Sequence, residues 1–195
     1  MKKNASVNLI IVLIVLFSTT ACNNYVKNPT FGEYPSLVKQ YALKVEIADR
    51  ERYLHRPGTR MRIGKQKKYD RLSDKWVKNK ETYLMKYPLE NKAVPYVCKP
   101  DLSFDVKHSI IRSLRWGGGI VIEIYVEKRD RDGVGFPLDV KFIDDTGKII
   151  LKRKVVLRSG TSFSPRKDKY SIVLSPDEVV KMEHFNNIEI LKVKK

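Results

Sequence analysis

The sequence has few of the residues that build metal centres and disulfide-stapled folds. Its 195 residues include 2 cysteines and 3 histidines. Two cysteines cannot hold a small fold together through several disulfides. His55, His108 and His184 lie in unrelated segments, and none stands at metal-ligand spacing with another histidine, a cysteine or a carboxylate. We therefore expect no metal and no cofactor.

Known catalytic and phosphate-binding motifs are absent from the sequence as well. The segment RSGTSF at 158–163 lacks the residue order of a nucleophile elbow. Gly117–Gly119 precede a strand pattern instead of opening a helix, which indicates a turn or bulge. The segment RDRDGVG at 129–135 lacks the later ligands of a calcium loop and is interpreted as a hairpin tip. No acid–base pair or nucleophile can be named, so we expect no catalytic residue and no enzymatic activity.

Long apolar runs are also missing, apart from one short run near the start. Leu9–Phe17 is uninterrupted but far shorter than the roughly 20 residues that a membrane-spanning helix needs. Lys2 and Lys3 precede it, and small residues follow it. A positive start, an apolar run of this length and small residues after it predict a secretory signal peptide over residues 1–21.

The segment Ser18–Cys22 closes this apolar run with the letters STTAC. It resembles the lipobox of bacterial lipoproteins, in which a small residue directly precedes a cysteine, although Thr19 stands where leucine is usual. The resemblance covers only the leader. It implies cleavage between Ala21 and Cys22 and a diacylglycerol on the Cys22 thiol, with palmitate among its acyl chains. The alternative is ordinary signal cleavage near Ala21 with a free Cys22 thiol.

Lipidation would place the protein in the bacterial cell envelope on a lipid anchor. Each buried methylene contributes about 0.8 kcal/mol, so two or more acyl chains hold a protein stably on a membrane. Asn23 follows the cysteine, where an aspartate would resemble an inner-membrane retention signal. The expected location in a Gram-negative cell is therefore the outer membrane, facing the periplasm. Cys98 then lacks an intramolecular partner, and we expect it to be a small buried residue, with an exposed thiol or an intermolecular bridge as the alternatives.

Positive charge is concentrated in one part of the chain. The net charge is +17, and residues 50–80 alone hold 12 basic and 3 acidic residues. Such a block indicates nucleic acid in a cytoplasmic protein, but an exported protein meets lipid headgroups, anionic envelope polymers or acidic proteins instead. The alternative is a solvated face that adds only solubility. The candidate residues for binding an anionic partner are Arg50, Arg52, Arg56, Arg60, Arg62, Lys65, Lys67, Lys68, Arg71, Lys75 and Trp76.

The pattern of apolar, charged and turn-forming residues predicts a mainly β protein and divides the chain into four parts. Residues 1–21 are the signal peptide, and residues 22–36, which contain proline, glycine and asparagine, are a lipidated tether. Residues 37–99 form a basic mixed or irregular region. Within it 37–49 fits a helix face through Ala42, Val45 and Ala48 or a strand at 41–47, of which the strand is favoured, and 60–63 is interpreted as the start of another strand. Residues 69–87 fit either a helix or a hairpin. Residues 100–195 are interpreted as an antiparallel immunoglobulin-like β-sandwich.

The sandwich prediction depends on short alternating segments. Apolar residues alternate over 120–126 and 138–142, and further strands are predicted at 148–157, 170–174 and 188–193. The letters DDTG at Asp144–Gly147 predict a tight turn, and Ser175 followed by Pro176 predicts a capped helical turn.

The leading hypothesis is thus a non-enzymatic envelope lipoprotein that acts as an interaction module for an anionic envelope component or a partner protein. Two alternatives stay open. One is a structural subunit of an envelope secretion or conjugation assembly, and the other is an inhibitor or immunity-type lipoprotein.

Overall fold

The computed structural model describes residues 31–98, 104–128, 137–156 and 167–192. The predicted signal peptide, its cleavage site, Cys22 and the segment RDRDGVG lie outside the described residues. The helices are α1 (Tyr34–Leu37), α2 (Leu43–Tyr53), α3 (Arg60–Lys86) and α4 (Pro176–Val180), with a π-helical segment at Val38–Ala42 and a 3-10 turn at Lys181–His184. The strands are β1 (Tyr96–Cys98), β2 (Phe104–Leu114), β3 (Ile120–Lys128), β4 (Leu138–Asp144), β5 (Ile149–Val155), β6 (Lys167–Leu174) and β7 (Phe185–Lys192).

Seven strands form two sheets, so the fold is mainly β with a few helices. One sheet has the order β1-β7-β4-β5 and the other β2-β3-β6. Neighbouring strands are antiparallel except β1 and β7, which are parallel. Residues from both sheets and from the helices belong to one hydrophobic core. The two sheets therefore pack on each other rather than standing apart.

The strand predictions in the second half are confirmed. In β3, Ile120, Ile122 and Ile124 are buried, and in β4 Leu138, Val140 and Phe142 are buried. This is the alternation that a strand with one face on a core requires. β5, β6 and β7 also overlap the predicted segments.

The predicted turn at Asp144–Gly147 and the predicted helix cap at Ser175 are both confirmed. Asp144 begins the β4–β5 turn, where its Oδ1 accepts hydrogen bonds from the backbone of Thr146 (3.0 Å) and Lys148 (2.8 Å). These hydrogen bonds, together with the one from the Thr146 hydroxyl, lower the pKa of Asp144. Ser175 caps α4 in a reciprocal capping box with Glu178.

The immunoglobulin strand order is absent from the described strands. Such a domain places its first, second, fourth and fifth strands in one sheet and the other three in the second. Here the first, fourth, fifth and seventh strands share one sheet. β3 and β4, which are consecutive among the described strands, lie in different sheets.

The predicted strand at 41–47 is wrong, because this segment lies in a helix that runs from α1 through the π-helical segment into α2. Val38, Ala42, Val45 and Ala48 are buried, at the three- and four-residue spacing of a helix face. Residue Ile47, which the strand interpretation placed inside, is 57% exposed.

The predicted short strand at 60–63 is also wrong. These residues form the first turn of α3, which Thr59 caps by accepting a hydrogen bond from the Arg62 backbone N–H (3.2 Å). The helix continues to Lys86, so the helical alternative for residues 69–87 is the correct one.

The folded part begins earlier than the tether prediction allowed. Phe31 and Tyr34, the latter at the start of α1, are both buried. Phe31 packs edge-on against Phe185, with 5.1 Å between ring centroids, and its carbonyl accepts a hydrogen bond from the Tyr83 hydroxyl (3.1 Å). Residues 31–36 are therefore part of the core, and a tether can occupy only positions before Phe31.

The predicted boundary between residues 99 and 100 cuts through the β structure. β1 precedes that boundary and pairs with β7. The segment before β1 pairs with β2, since the Val94 N–H donates to the Ser109 carbonyl (2.8 Å). Cys98, predicted to be buried, is exposed at this sheet edge.

Candidate binding surface on the helical hairpin

The basic block forms two antiparallel helices joined by a short connection. We call α2, residues 54–59 and α3 the helical hairpin. Val45 and Ala48 fix α2 to the core, and Trp76 fixes α3. The remaining long side chains of α3 are exposed or half-buried, as expected for a helix that carries this much charge.

Trp76 has a structural position and lies away from the surface. It is 1% exposed, and its Nε1–H donates a hydrogen bond to the Trp116 carbonyl at 2.8 Å. Trp116 belongs to the β2–β3 turn, so this bond joins α3 to the three-stranded sheet. The prediction that Trp76 takes part in surface binding is therefore corrected.

The glycines after Trp116 allow this turn to approach the helices closely. Gly118 has a φ of +91°, and a Cβ there would lie 3.0 Å from the Cβ of Ala42. A Cβ on Gly119 would lie 2.6 Å from the Leu174 carbonyl oxygen. The turn predicted for Gly117–Gly119 is confirmed, and the close packing explains why Gly118 and Gly119 lack side chains.

Four basic residues line the side of α3 that faces away from Trp76. Arg60, Lys67, Arg71 and Lys78 point within about 20° of one direction, and Trp76 points about 160° away, at 3.6 residues per turn. All four are exposed. We call them the outer basic stripe. Lys78 was not among the predicted residues, but helical periodicity identifies it once α3 is known to be a helix.

The stripe residues are free of ion pairs within the described part of the chain. Arg56 and Lys75, which lie close to the stripe in sequence, are likewise exposed and unpaired among the described residues. Because no acidic side chain of the described residues lies within ion-pair distance of these groups, they can approach an external anion.

Other predicted binding residues hold the two helices together. Lys65 and Lys68 both pair with Glu51, at 2.9 and 3.1 Å. Their hydrogen bonds lower the pKa of the Glu51 carboxyl. Arg52 lies over the Tyr69 ring at 3.9 Å. These side chains, which the sequence analysis had assigned to an anionic partner, therefore already contact groups within the hairpin.

The residues predicted to bind an anionic partner thus differ in their exposure and in their contacts. Arg50 is exposed and pairs with Glu46 on its own helix, and Arg62 lies over the Tyr53 ring at 4.7 Å. The exposed members of the set are Arg50, Arg56, Arg60, Lys67, Lys68, Arg71 and Lys75, the half-buried members are Arg52, Arg62 and Lys65, and the buried member is Trp76.

A second charged cluster lies on the outer face of the three-stranded sheet and was not predicted. Glu123 is 5% exposed and accepts hydrogen bonds from Tyr125 (2.6 Å) and Lys169 (3.0 Å), with Arg112 at 3.8 Å. Burial opposes its ionisation, but these partners lower the pKa of Glu123. The same hydrogen bond raises the pKa of Tyr125. The partners come from three neighbouring strands, so sequence spacing could not reveal the cluster.

Metal and membrane-spanning features are absent from the described ranges. No group of three or more histidine, cysteine, aspartate or glutamate residues in them could hold a metal ion. None of the described helices combines the length and the apolar character needed to cross a bilayer.

The comparisons with known proteins add no relative to this picture. No protein-family model, no curated protein and no solved structure matches the chain.

Proposed function

We propose that this protein is a non-enzymatic lipoprotein of the bacterial envelope, anchored through Cys22, whose helical hairpin binds an anionic envelope component. In a cell with two membranes it would lie on the outer membrane, facing the periplasm. The lipobox-type leader supports the anchor, and the outer basic stripe supports the anionic partner. The single observation that carries the proposal is that this stripe is exposed and free of ion pairs in the described part of the chain.

The stripe suits a partner with several negative charges in a row. α3 has 27 residues, so it is about 40 Å long at about 1.5 Å per residue. Cations along such a length can contact many headgroups or polymer phosphates at once. Near an anionic membrane each basic residue contributes about 1 kcal/mol. Four such residues together therefore contribute about 4 kcal/mol to membrane binding, whereas one isolated lysine contributes about 1 kcal/mol.

We also infer that the two sheets are a relative of the immunoglobulin-like sandwich with a different strand order. Seven strands in sheets of four and three around one core support this inference. In this arrangement the sheets support the helical hairpin, and the hairpin carries the binding surface.

A second candidate function is a structural subunit of an envelope secretion or conjugation assembly. The specific observation in its favour is that β1 and β5 are edge strands among the described residues. Val97 in β1 and Ile149 in β5 are 51% and 48% exposed. Exposed strand edges can pair with a neighbouring subunit. Stable co-purification at high salt would favour this candidate over electrostatic binding.

The anchor is tested by metabolic labelling with palmitate. Wild type should incorporate the label, and the Cys22→Ser variant should not. Equal labelling of both forms, or labelling of neither, would contradict lipidation at Cys22.

The outer basic stripe is tested with the chain that begins at Asn23, which contains every described element. Replacing Arg60, Lys67, Arg71 and Lys78 with glutamine removes about 4 kcal/mol of attraction if each contributes about 1 kcal/mol. Partitioning onto vesicles that contain phosphatidylglycerol should then weaken by roughly a hundredfold to a thousandfold.

The matched control removes the same charge from other exposed positions. Replacing Lys39, Lys148, Lys154 and Lys181 with glutamine leaves the hairpin outer face intact. This variant should bind within about tenfold of wild type, since charges distant from the contact are screened beyond about 10 Å in 0.1 M salt. Equal losses in both variants would show that net charge, and not the stripe, determines binding.

A further inference from the structure

The far end of the helical hairpin extends beyond the hydrophobic core. Ala48 is the last buried residue of α2, and Trp76 is the buried residue of α3, with Tyr69 partly packed against the core before it. No side chain over residues 49–68 is buried. We call residues 49–68 the hairpin tip. It is held by contacts between the two helices, and among the described residues none of its side chains belongs to the hydrophobic core or packs against it.

The hairpin tip has its polar side chains between the helices. Arg52 donates to the Gln66 side chain at 3.0 Å and pairs with Asp49 at 2.5 Å. Lys65 pairs with Glu51 across the same seam. In a water-soluble helix pair this seam is normally apolar.

The large apolar side chains of the hairpin tip face outward instead. Leu54 is 81% exposed and Met61 is 62% exposed, and they lie on opposite sides of the connection between α2 and α3. Tyr53 and Ile63, next to them in sequence, are 67% and 50% exposed. This arrangement, with polar groups inside and apolar groups outside, favours an end that contacts an apolar environment.

The charge of the hairpin tip restricts which environment that can be. No acidic residue occurs between Glu51 and Asp70, while this interval contains seven basic residues: Arg52, Arg56, Arg60, Arg62, Lys65, Lys67 and Lys68. An anionic bilayer presents phosphate groups directly above acyl chains. It therefore offers both of the contacts that the hairpin tip presents, at adjacent depths.

We propose that the hairpin tip inserts into the interface of a bilayer that contains anionic phospholipids. Leu54 and Met61 enter the boundary between headgroups and acyl chains. Arg56 and Arg60 contact the phosphates, for which the planar guanidinium has suitable donors, and Tyr53 lies at headgroup level. A fluid surface accepts a projecting end without a complementary pocket. This inference rests on the proposed function, because it names the anionic component that the hairpin contacts.

The direct test measures the depth of individual side chains in the chain that begins at Asn23, bound to vesicles. An environment-sensitive nitrobenzoxadiazole label is attached to Leu54→Cys in a background with Cys98→Ser. Met85→Cys is the matched control, because Met85 is 85% exposed on α3 but lies at the end away from the hairpin tip. With phosphatidylglycerol present, emission at position 54 should shift to the blue and be quenched by spin-labelled acyl chains.

Position 85 should show neither change, and position 54 should show much smaller changes in vesicles of phosphatidylcholine alone. Equal behaviour of the two positions would overturn insertion. Full insertion at position 54 without anionic lipid would overturn the role of the headgroup phosphates. A hairpin tip that serves a protein partner would leave the label at position 54 in water on both kinds of vesicle, which also refutes the inference.

A second variant separates this inference from the proposed function. Replacing Leu54 and Met61 together with serine should weaken partitioning of the chain that begins at Asn23 by roughly tenfold to a hundredfold, with salt dependence retained. Met85→Ser should change nothing. If the outer-stripe variant loses binding while the Leu54 and Met61 variant binds like wild type, the proposed function stands and the inserted hairpin tip is refuted. If both bind like wild type, both ideas are refuted.

Discussion

Replacing Trp76 with phenylalanine should destabilise the fold without touching any exposed binding residue. The indole is 1% exposed, and its N–H donates to the Trp116 carbonyl at 2.8 Å. Phenylalanine cannot donate this hydrogen bond, and it fills less space between α3 and the β2–β3 turn. The substitution therefore tests whether Trp76 supports the structure or binds a partner.

The expected loss combines two contributions. Losing the indole donor leaves the part-buried Trp116 carbonyl without this partner, which costs about 1–2 kcal/mol. Truncation of a buried aromatic ring to alanine costs about 3–5 kcal/mol, so the smaller change from indole to phenyl costs about 1 kcal/mol. We expect the free energy of unfolding to fall by about 2–3 kcal/mol, and Tm by roughly 5–10 °C for a chain of this size.

The assay is urea unfolding followed by circular dichroism, with Trp116→Phe as the control. The Trp116 side chain is 55% exposed, and the acceptor for Trp76 is its main-chain carbonyl, which survives substitution. The control should stay within about 0.5 kcal/mol of wild type. Equal stabilities of the two variants would refute the structural role of Trp76. So would a Trp76→Phe variant that keeps full stability but loses binding to anionic vesicles.

Two further predictions concern the core and the second charged cluster. Gly118→Ala should destabilise the fold by about 2 kcal/mol, since position 118 combines a positive φ with a tight contact. Gly147→Ala should cost about 1 kcal/mol, because position 147 has a φ of +84° but open space around it. Equal losses of stability in urea unfolding would contradict the close approach of Gly118 to Ala42. The lowered pKa of Glu123 stabilises the folded protein at pH values above the carboxyl's unfolded pKa, and this stability is lost as the pH falls through the folded pKa. Glu123→Gln should therefore be less stable at neutral pH and lose less stability on acidification, and parallel pH profiles of unfolding would exclude this linkage.

Strands β3 and β4 could be predicted because one face of each is buried. The strand β2 in the same half was not predicted. Strict alternation at 120–126 and 138–142 has a single structural interpretation, and the described strands follow it. The tight turn at Asp144 and the cap at Ser175 were equally local signals. β1 could not be predicted, because three residues in a parallel pair with β7 carry no pattern of their own.

The helices of the first half were harder to identify for a physical reason. Over 41–47 the same letters fit a period of two and a period of 3.6. The deciding residues, Val38 and Ala48, lie outside that window. In α3 only Trp76 is fully buried, while Tyr69, Leu72 and Tyr83 on the same side are partly buried against the core. The many charged residues between these positions obscure the apolar spacing in the sequence.

The amino-acid composition located the candidate binding surface in the basic block, but it did not show which of these basic side chains are exposed and unpaired. A count of charge over 50–80 identifies the basic block, yet it treats Lys65, which pairs with Glu51, and Lys67, which is exposed and unpaired, as equivalent. The division between them depends on which side of α3 faces α2. Because the sequence does not show how α3 is oriented, Trp76 was also assigned to the binding surface. Its hydrogen-bond acceptor, the Trp116 carbonyl, is distant in sequence.

Binding by the outer basic stripe can be measured in native membranes by site-specific photocrosslinking. A photoreactive residue at Lys67, on the outer basic stripe, is compared with one at Lys154, which is exposed on β5. We predict that position 67 captures an anionic envelope component, and that capture falls steeply between about 0.1 M and about 1 M salt, as the screening length shrinks from about 10 Å to about 3 Å. The same products from both positions, or capture that salt leaves unchanged, would contradict the account.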